Sequence, residues 1–105
     1  MTLQEFKPVL EATGLPVAYR AFPEGDAPAL PFVCYHTPYS ANFAADGVAY
    51  ATINHVNVEL YTQVKDPATE GKVEAALTGA GIYWEKSETY LEDEKCFQIL
   101  YEIEV

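Results

Sequence analysis

Basic residues are scarce in this chain of 105 residues. Lysine and arginine total 6 against 16 aspartates and glutamates, which gives a formal net charge of −10. Proteins that hold nucleic acid through its phosphates need clustered cations, and an anionic membrane surface attracts the same clusters. The composition therefore argues against binding to nucleic acid or to a membrane surface by charge. DNA that passes such an acidic protein is repelled by it rather than held.

Long apolar stretches are also missing. No apolar run approaches the roughly 20 residues that a membrane-spanning helix requires. The N-terminal stretch MTLQEFKPVL carries an acidic residue where a signal peptide would have a basic region followed by an apolar one. We therefore expect the protein to be cytosolic when it is made.

Cysteine is rare, and its placement gives no reactive motif. Cys34 and Cys96 lie far apart, each inside an apolar run. Closely spaced pairs are what zinc sites and redox motifs require. The pattern predicts two reduced thiols in the core, and a disulfide would need neighbouring strands and an oxidising compartment.

What the chain does contain is typical of a folded domain. Half of its residues are hydrophobic, and eight tyrosines and five phenylalanines are present. This length fits one domain, residues 1–105, with a core of its own. Tyrosine combines an apolar ring with a polar tip, so the many tyrosines suit half-buried sheet faces and contacts between subunits.

Two segments are predicted to be helical. Near the N-terminus, Thr2 and Glu5 have the spacing of a capping box, although Pro8 predicts a short or kinked helix that stops near Gly14. Farther along, Asp66-Pro67 is a strong helix start. The apolar stripe that follows ends at Gly81.

Extended segments account for most of the rest. Alternating or β-prone runs predict strands at residues 17–21, 32–36 and 50–62, a strand that begins at 82–84, and a last strand at 97–105. Pro31 and Pro38 are expected to limit the second of these strands. The order α-β-β-β-α-β-β predicts an α+β fold, with an antiparallel or mixed sheet of about five strands packed against two helices.

The third predicted strand is long for a domain of this size. At about 3.3 Å per residue it would span roughly 40 Å, against a domain diameter nearer 35 Å. Asp46-Gly47, just before it, is a strong hairpin-turn signal. We therefore predict a projecting loop or hairpin at residues 39–50, for which the alternative is a surface loop without a partner. The candidate interaction residues in it are Tyr39, Phe43, Asp46 and Tyr50.

No residue set able to run a reaction is recognisable. Cys34 and His36 share one strand face, but no third group activates the thiol, and His55 lies beside ordinary polar neighbours. The acidic residues of 88–94 lack the spaced oxygens and the glycine of a calcium loop, so we expect a solvated turn. Gly79 and Gly81 follow a helix rather than open one, which does not make a phosphate cradle. We therefore expect no catalytic residue, no cofactor and no metal.

Several stretches resemble a known family. Residues 15–25, LPVAYRAFPEG, together with Pro28 and the run LPFV at 30–33, are similar to the opening of small tail proteins of siphophages and their prophages. The runs VELYT at 58–62 and YEIEV at 101–105 resemble the same group. The resemblance covers most of the chain and rests on turns and strands.

The resemblance implies a tail terminator or a tail-to-head joining protein at the tail–head junction of a virion. Such proteins assemble as a hexameric ring of copies of themselves, stop growth of the tail tube and offer a surface to the head-completion or connector protein. DNA would pass through the ring without specific binding. Two alternatives remain open: a small ligand-binding or regulatory domain without catalysis, and an enzyme that uses Cys34 or the histidines.

Overall fold

The structure, a computed structural model, describes residues 1–40, 43–45, 48–51 and 53–105, and the side chains of residues 1–40 and 53–105. Its elements, in chain order, are α1 (Leu3–Glu11), β1 (Val17–Tyr19), β2 (Phe32–Ser40), β3 (Phe43–Ala45), β4 (Val48–Ala51), β5 (Asn54–Thr62), α2 (Pro67–Gly79), β6 (Trp84–Leu91) and β7 (Cys96–Glu104).

Five of the strands form one mixed sheet in the order β1-β2-β5-β7-β6. β1 runs parallel to β2, and the other neighbouring pairs are antiparallel. In the sequence, β3 and β4 lie between β2 and β5, and they form a separate antiparallel pair. The predicted α+β class is therefore confirmed. The helices and the strands of the main sheet follow the predicted order along the chain, and β3 and β4 are an additional pair in that order.

Both helices pack on one face of the sheet. Phe6 and Leu10 of α1 and Val73 and Leu77 of α2 belong to the same buried cluster as the inward side chains of β2, β5 and β7. The other face of the sheet carries mostly polar side chains and is called the open face below. In the part of the chain that the structure describes, no helix is long and apolar enough to cross a membrane.

Helix α1 begins as the sequence predicts. Glu5 N donates to Thr2 Oγ1 at 3.1 Å and Thr2 N donates to Glu5 Oε1 at 2.9 Å, so the capping box is confirmed. These bonds satisfy backbone donors that the first helical turn leaves free, and they lower the pKa of the Glu5 carboxyl. The helix continues through Pro8 and ends at Glu11, which makes it short, as expected.

Helix α2 also keeps its predicted start. The side chain of Asp66 accepts from Thr69 N at 3.2 Å and from Thr69 Oγ1 at 2.7 Å, and Pro67 occupies the first helical position. Pro67 fits there because that position has no helical hydrogen bond to lose. After Ala80, Gly81 turns the chain with φ +75°, a conformation that favours glycine.

Several predicted strand limits are wrong, and β1 for example ends at Tyr19 rather than at residue 21. β2 does not stop before Pro38 but runs to Ser40, and its register to β5 shifts between His36 and Tyr39. This shift in the pairing accommodates Pro38, which has no N–H to donate to the ladder. The predicted strand 50–62 is also not continuous, because residues up to Ala51 belong to β4, whereas β5 begins at Asn54.

An ion network ties α2 to the edge strand β6 on the helix side of the sheet. The Glu70 side chain is only 3% exposed, and its two oxygens lie 2.7 Å from Lys65 Nζ and 3.1 Å from Lys86 Nζ. Lys86 Nζ also lies 2.8 Å from Glu74 Oε2, which accepts from the buried Tyr101 hydroxyl at 2.7 Å. The network therefore joins helix, edge strand and central sheet.

Candidate functional site

The predicted interaction residues fall in and around the β2–β5 connection. Tyr39, near the end of β2, is 60% exposed, and its ring stacks on His55 with 4.5 Å between centroids and 6° between planes. Phe43 and Tyr50 belong to β3 and β4, where only the backbone is described, and Asp46 lies outside the described residues. Of the four, Tyr39 is thus placed as an exposed aromatic beside His55, and the role of the segment stays a prediction.

The open face has an acidic end next to this stacked pair. A cleft of about 450 Å³ lies there, and its lining consists of His55, Tyr83, Glu85, Glu102, Ile103 and Glu104. Strand register explains the gathering: Glu85 of β6 pairs directly with Glu102 of β7, and Glu104 pairs with His55 of β5. Like charges directly opposite each other on a sheet cost stability. This end of the sheet therefore carries an electrostatic cost that a cation would relieve.

Within the described residues, the carboxylates of the cleft have few positively charged partners. The Tyr83 hydroxyl, on a side chain 77% exposed, donates to Glu85 Oε1 at 2.7 Å. This bond to a carboxylate raises the pKa of Tyr83, because the carboxylate favours the protonated hydroxyl. His55 Nε2 lies 4.0 Å from Glu102 Oε1, a pairing that is ionic only when the imidazole is protonated. Lys86, the neighbour of Glu85 in β6, contacts Glu70 and Glu74 on the other side of the sheet.

A second polar group, centred on Glu59, occupies the middle of the open face. Glu59 Oε2 accepts from the Tyr61 hydroxyl at 3.0 Å and from Gln98 Nε2, and His36 Nδ1 lies 3.2 Å from Glu59 Oε1. The Glu59 side chain is 16% exposed. Burial raises the pKa of Tyr61 to about 12, although the hydrogen bond from Gln98 lowers it in part. Hydrogen bonds join the β5 and β7 members of the group, and the contact of His36 with Glu59 adds β2.

Aromatic rings cover the remaining end of the open face. Phe22, from the connection between β1 and β2, packs edge-on against Phe32 at 5.1 Å between centroids, and Phe32 lies 5.3 Å from Tyr61. Cys34 lies on the same face, because its neighbours Val33 and Tyr35 belong to the core cluster. The connection thus shields the part of the open face where the first cysteine sits.

Both cysteines are buried free thiols, as predicted, and Cys34 is poorly suited to nucleophilic attack. Burial, and then the charge of Glu59, raises the pKa of Cys34 to about 11. The pKa of Cys96 is raised by burial and by Glu94. Because the thiolate is the reactive form, these environments oppose the enzyme alternative based on Cys34 and His36.

The acidic stretch near β6 and β7 is divided by the fold. Glu88 lies on the helix side, with its Oε1 2.6 Å from Lys65 Nζ, whereas the residues 92–95 form the exposed turn between the strands, as predicted. Among the residues that the structure describes, no group of three or more acidic, histidine or cysteine side chains is arranged to hold a metal ion. Gly79 and Gly81 stand at the end of α2, as predicted.

Comparison with known proteins finds a likeness in fold but none in sequence family. No family model and no curated protein sequence matches the chain. The fold is similar to that of a chain in a solved structure described as "Virion of native gene transfer agent (GTA) particle", with a TM-score of 0.63 and 17% sequence identity. The likeness covers 97% of this chain and 85% of that chain. At this level of identity, the likeness establishes a shared fold.

Several contacts of the open face could not be predicted from the sequence. The alternation of β5 does place His55, Asn57 and Glu59 on one face, which the structure confirms. Gln98 could not be assigned to them, since its contact with Glu59 crosses 39 residues and depends on strand register. The pairing of Glu85 with Glu102 likewise requires the register of the β6–β7 hairpin.

Proposed function

We propose that this chain is a structural protein of a phage-type virion, which caps the tail tube and joins the tail to the head as a ring of identical copies. The observation that carries the proposal is the shared fold with a chain of a virion particle over 97% of the present chain. The resemblance of the sequence to siphophage tail proteins, noted above, points in the same direction. In this proposal the partners are further copies of the chain, the tail tube protein and the head connector.

The distribution of polar and aromatic groups supports an assembly role. Four tyrosines near the margins of the sheet are strongly exposed: Tyr19, Tyr39, Tyr83 and Tyr90. Exposed tyrosines are enriched where proteins contact one another, because one ring supplies both apolar area and a hydrogen bond. A net charge of −10 suits a ring through which DNA moves, since a negative lumen does not hold the phosphates.

The segment 39–50 is proposed to contact the tail tube or the lumen through Tyr39, Phe43, Asp46 and Tyr50. Tyr39 supports this assignment because its ring is held against His55 and yet remains 60% exposed. A side chain held in one orientation loses little conformational entropy when a partner covers it.

Deleting the gene from the element that encodes the protein tests the function. We expect electron micrographs of the resulting particles to show heads and tails apart, with tails longer than normal, and complementation with the wild-type chain to restore joined particles. Normal, joined particles in the deletion strain would contradict the proposal. So would the absence of the chain from purified particles, measured by mass spectrometry.

Substitution of Tyr39 tests the contact segment separately. We expect Tyr39→Ala to reduce the fraction of joined particles while the purified chain stays folded. Val64→Ala is the control, because Val64 is also strongly exposed, at 66%, but lies in the connection from β5 to α2. Equal behaviour of the two variants would count against the segment while leaving the function itself standing.

A further inference from the structure

We propose that Arg20 of one copy docks into the acidic cleft beside Glu85 and Glu102 of the next copy, so that the two edges of the sheet form the side-to-side contact of the ring. The inference rests on the proposed function, because it assumes a ring of identical copies and names the residues through which neighbouring copies touch. It follows from three observations on the described residues: an acidic cleft that no lysine or arginine contacts, an arginine without a carboxylate within ion-pair distance, and the placement of both at one level of the sheet.

The cleft lacks a cation where it needs one. Glu85 and Glu102 are direct cross-strand partners on the open face, and the 53% exposure of the Glu102 side chain leaves it accessible. Within the described residues, no lysine or arginine lies within ion-pair distance of either carboxylate. The exposed ring of Tyr83 stands beside Glu85 and offers a face on which a guanidinium stacks.

Arg20 is a positive charge that lacks an acidic partner among the described residues. It is exposed at the end of β1, the opposite edge strand, and has no carboxylate within ion-pair distance among the described residues. Its φ of +66° ends the strand, and its backbone N donates to Tyr35 O at 2.6 Å. Arg20 lines a cleft together with His36, Glu59 and Tyr61, which places it on the open face. Both partners of the proposed contact thus lie on the same face of the sheet.

Strand register puts the two patches at one level. Glu85 pairs with Glu102, Glu102 with Asn57, and Asn57 with His36, so these four residues form one row across the sheet. Arg20 follows Tyr19, and Tyr19 pairs with Tyr35, the residue just before His36. Arg20 therefore extends the row at its far end. With four strand spacings of about 4.8 Å each, it lies roughly 19 Å from Glu85 and can meet that residue only in another copy.

The strand directions suit a ring of copies in one orientation. β1 is parallel to β2, and three antiparallel steps lead from β2 to β6, so β6 runs antiparallel to β1. Copies placed side by side in the same orientation then bring β6 of one against β1 of the next as antiparallel neighbours. Such a head-to-tail contact uses two different patches and closes into a ring when the rotation allows it. The cation at one edge and the carboxylates at the other meet in that arrangement.

Cysteine cross-linking tests the contact directly. In the double variant Arg20→Cys/Glu85→Cys, the two positions are too far apart to form a disulfide within one chain, so mild oxidation is expected to give a reducible ladder of multimers. The natural thiols, Cys34 and Cys96, are buried and do not compete. The matched control is Arg20→Cys/Thr89→Cys, because Thr89 is exposed on the same face of β6 but about 13 Å farther along the strand. We expect the ladder from the first pair and little or none from the control.

Charge reversal provides the second arm. Arg20→Glu or Glu85→Arg alone is expected to weaken self-association of the purified chain by about tenfold or more, measured by sedimentation, because each places like charges together. The double reversal Arg20→Glu/Glu85→Arg is expected to recover most of the loss. Circular dichroism of each variant verifies that the fold is intact.

The possible outcomes separate the contact from the ring. If neither single reversal weakens self-association, the Arg20 contact is wrong while the ring stands. The same holds if the pair with Thr89→Cys gives a stronger ladder than the pair with Glu85→Cys. No ladder from either pair, with a wild-type chain that stays monomeric at every concentration, overturns the contact together with the ring.

Discussion

Two shielded glutamates, one on each face of the sheet, show how differently the same side chain is accommodated. On the helix side, Glu70 is 3% exposed and contacts two lysines, Lys65 and Lys86. On the open face, Glu59 is 16% exposed, and its hydrogen-bond donors are the neutral side chains of Tyr61 and Gln98, with His36 at 3.2 Å. One carboxylate is paired with two ammonium groups, and the other accepts hydrogen bonds from neutral side chains and lies beside an imidazole.

The ion network on the helix side stabilises the fold, whereas the polar group on the other side forms part of a surface. The lysines of the Glu70 network come from the loop before α2 and from β6, so the network holds the helix to the edge strand. The Glu59 group joins three strands that the sheet already pairs, so it adds little to the fold. It shapes an open face whose two margins carry the groups proposed for assembly.

Removal of the Glu70 carboxylate is expected to have the largest effect. Glu70→Ala leaves two lysine ammonium groups facing each other without their shared anion, and we expect a loss of about 2 kcal/mol in the free energy of unfolding, less than for a fully buried pair because both ammonium groups reach solvent. Urea denaturation measures it. Glu88→Ala is the control: its side chain is 44% exposed and contacts only Lys65 of the two lysines, so it should cost clearly less. Equal losses would show that the burial of Glu70 does not matter.

The stabilising contribution of Glu70 is expected to depend on pH. Burial alone would raise the pKa of Glu70, but the hydrogen bonds from Lys65 and Lys86 outweigh it and hold the pKa below its ordinary value of 4.5. A carboxyl whose pKa is lowered by folding stabilises the protein fully above the ordinary value and loses that contribution as the pH falls through the folded value. The advantage of the wild type over Glu70→Gln should therefore shrink below pH 4.5. An advantage that stays constant down to about pH 3 would contradict this linkage.

A smaller effect is expected on the open face. Glu59→Ala removes the acceptor of Tyr61 and Gln98, whose donors can then turn to water, and we expect a loss of about 1 kcal/mol in the free energy of unfolding. Glu59→Gln keeps an acceptor oxygen and should lose less. Both are measured by urea denaturation beside Glu70→Ala. A loss from Glu59→Ala that exceeds the loss from Glu70→Ala would reverse the ranking of the two faces.

The smallest effect is expected at the thiol next to Glu59. The charge of Glu59 is the second cause, after burial, of the raised pKa of Cys34. Glu59→Gln should therefore lower the pH at which Cys34 reacts with a thiol reagent, but only modestly because the burial remains. Peptide mapping of the labelled chain separates Cys34 from Cys96, the internal control. An equal shift at both cysteines would indicate a general loosening of the fold instead.

Local features of the fold could be predicted because they depend on neighbours in the chain. The capping box of Thr2 and Glu5 and the start of α2 at Asp66-Pro67 are confirmed, since each is made within one helical turn. The alternation of apolar and polar residues in β5 and β7 agrees with the alternating burial of their side chains. Strand limits failed at Pro38, where a bulge in the pairing of β2 with β5 overrode the local signal.

The acidity, the two helices and the alternating strands are readable from the chain alone, because composition and short-range spacing fix these properties. The order and register of the strands, in contrast, depend on how the whole chain packs. That register brings Gln98 to Glu59 and sets Glu85 opposite Glu102. It also puts Arg20 at the far end of the row that holds Glu85. Which residues meet across a sheet depends on the free energy of packing the whole core, and no single segment encodes it.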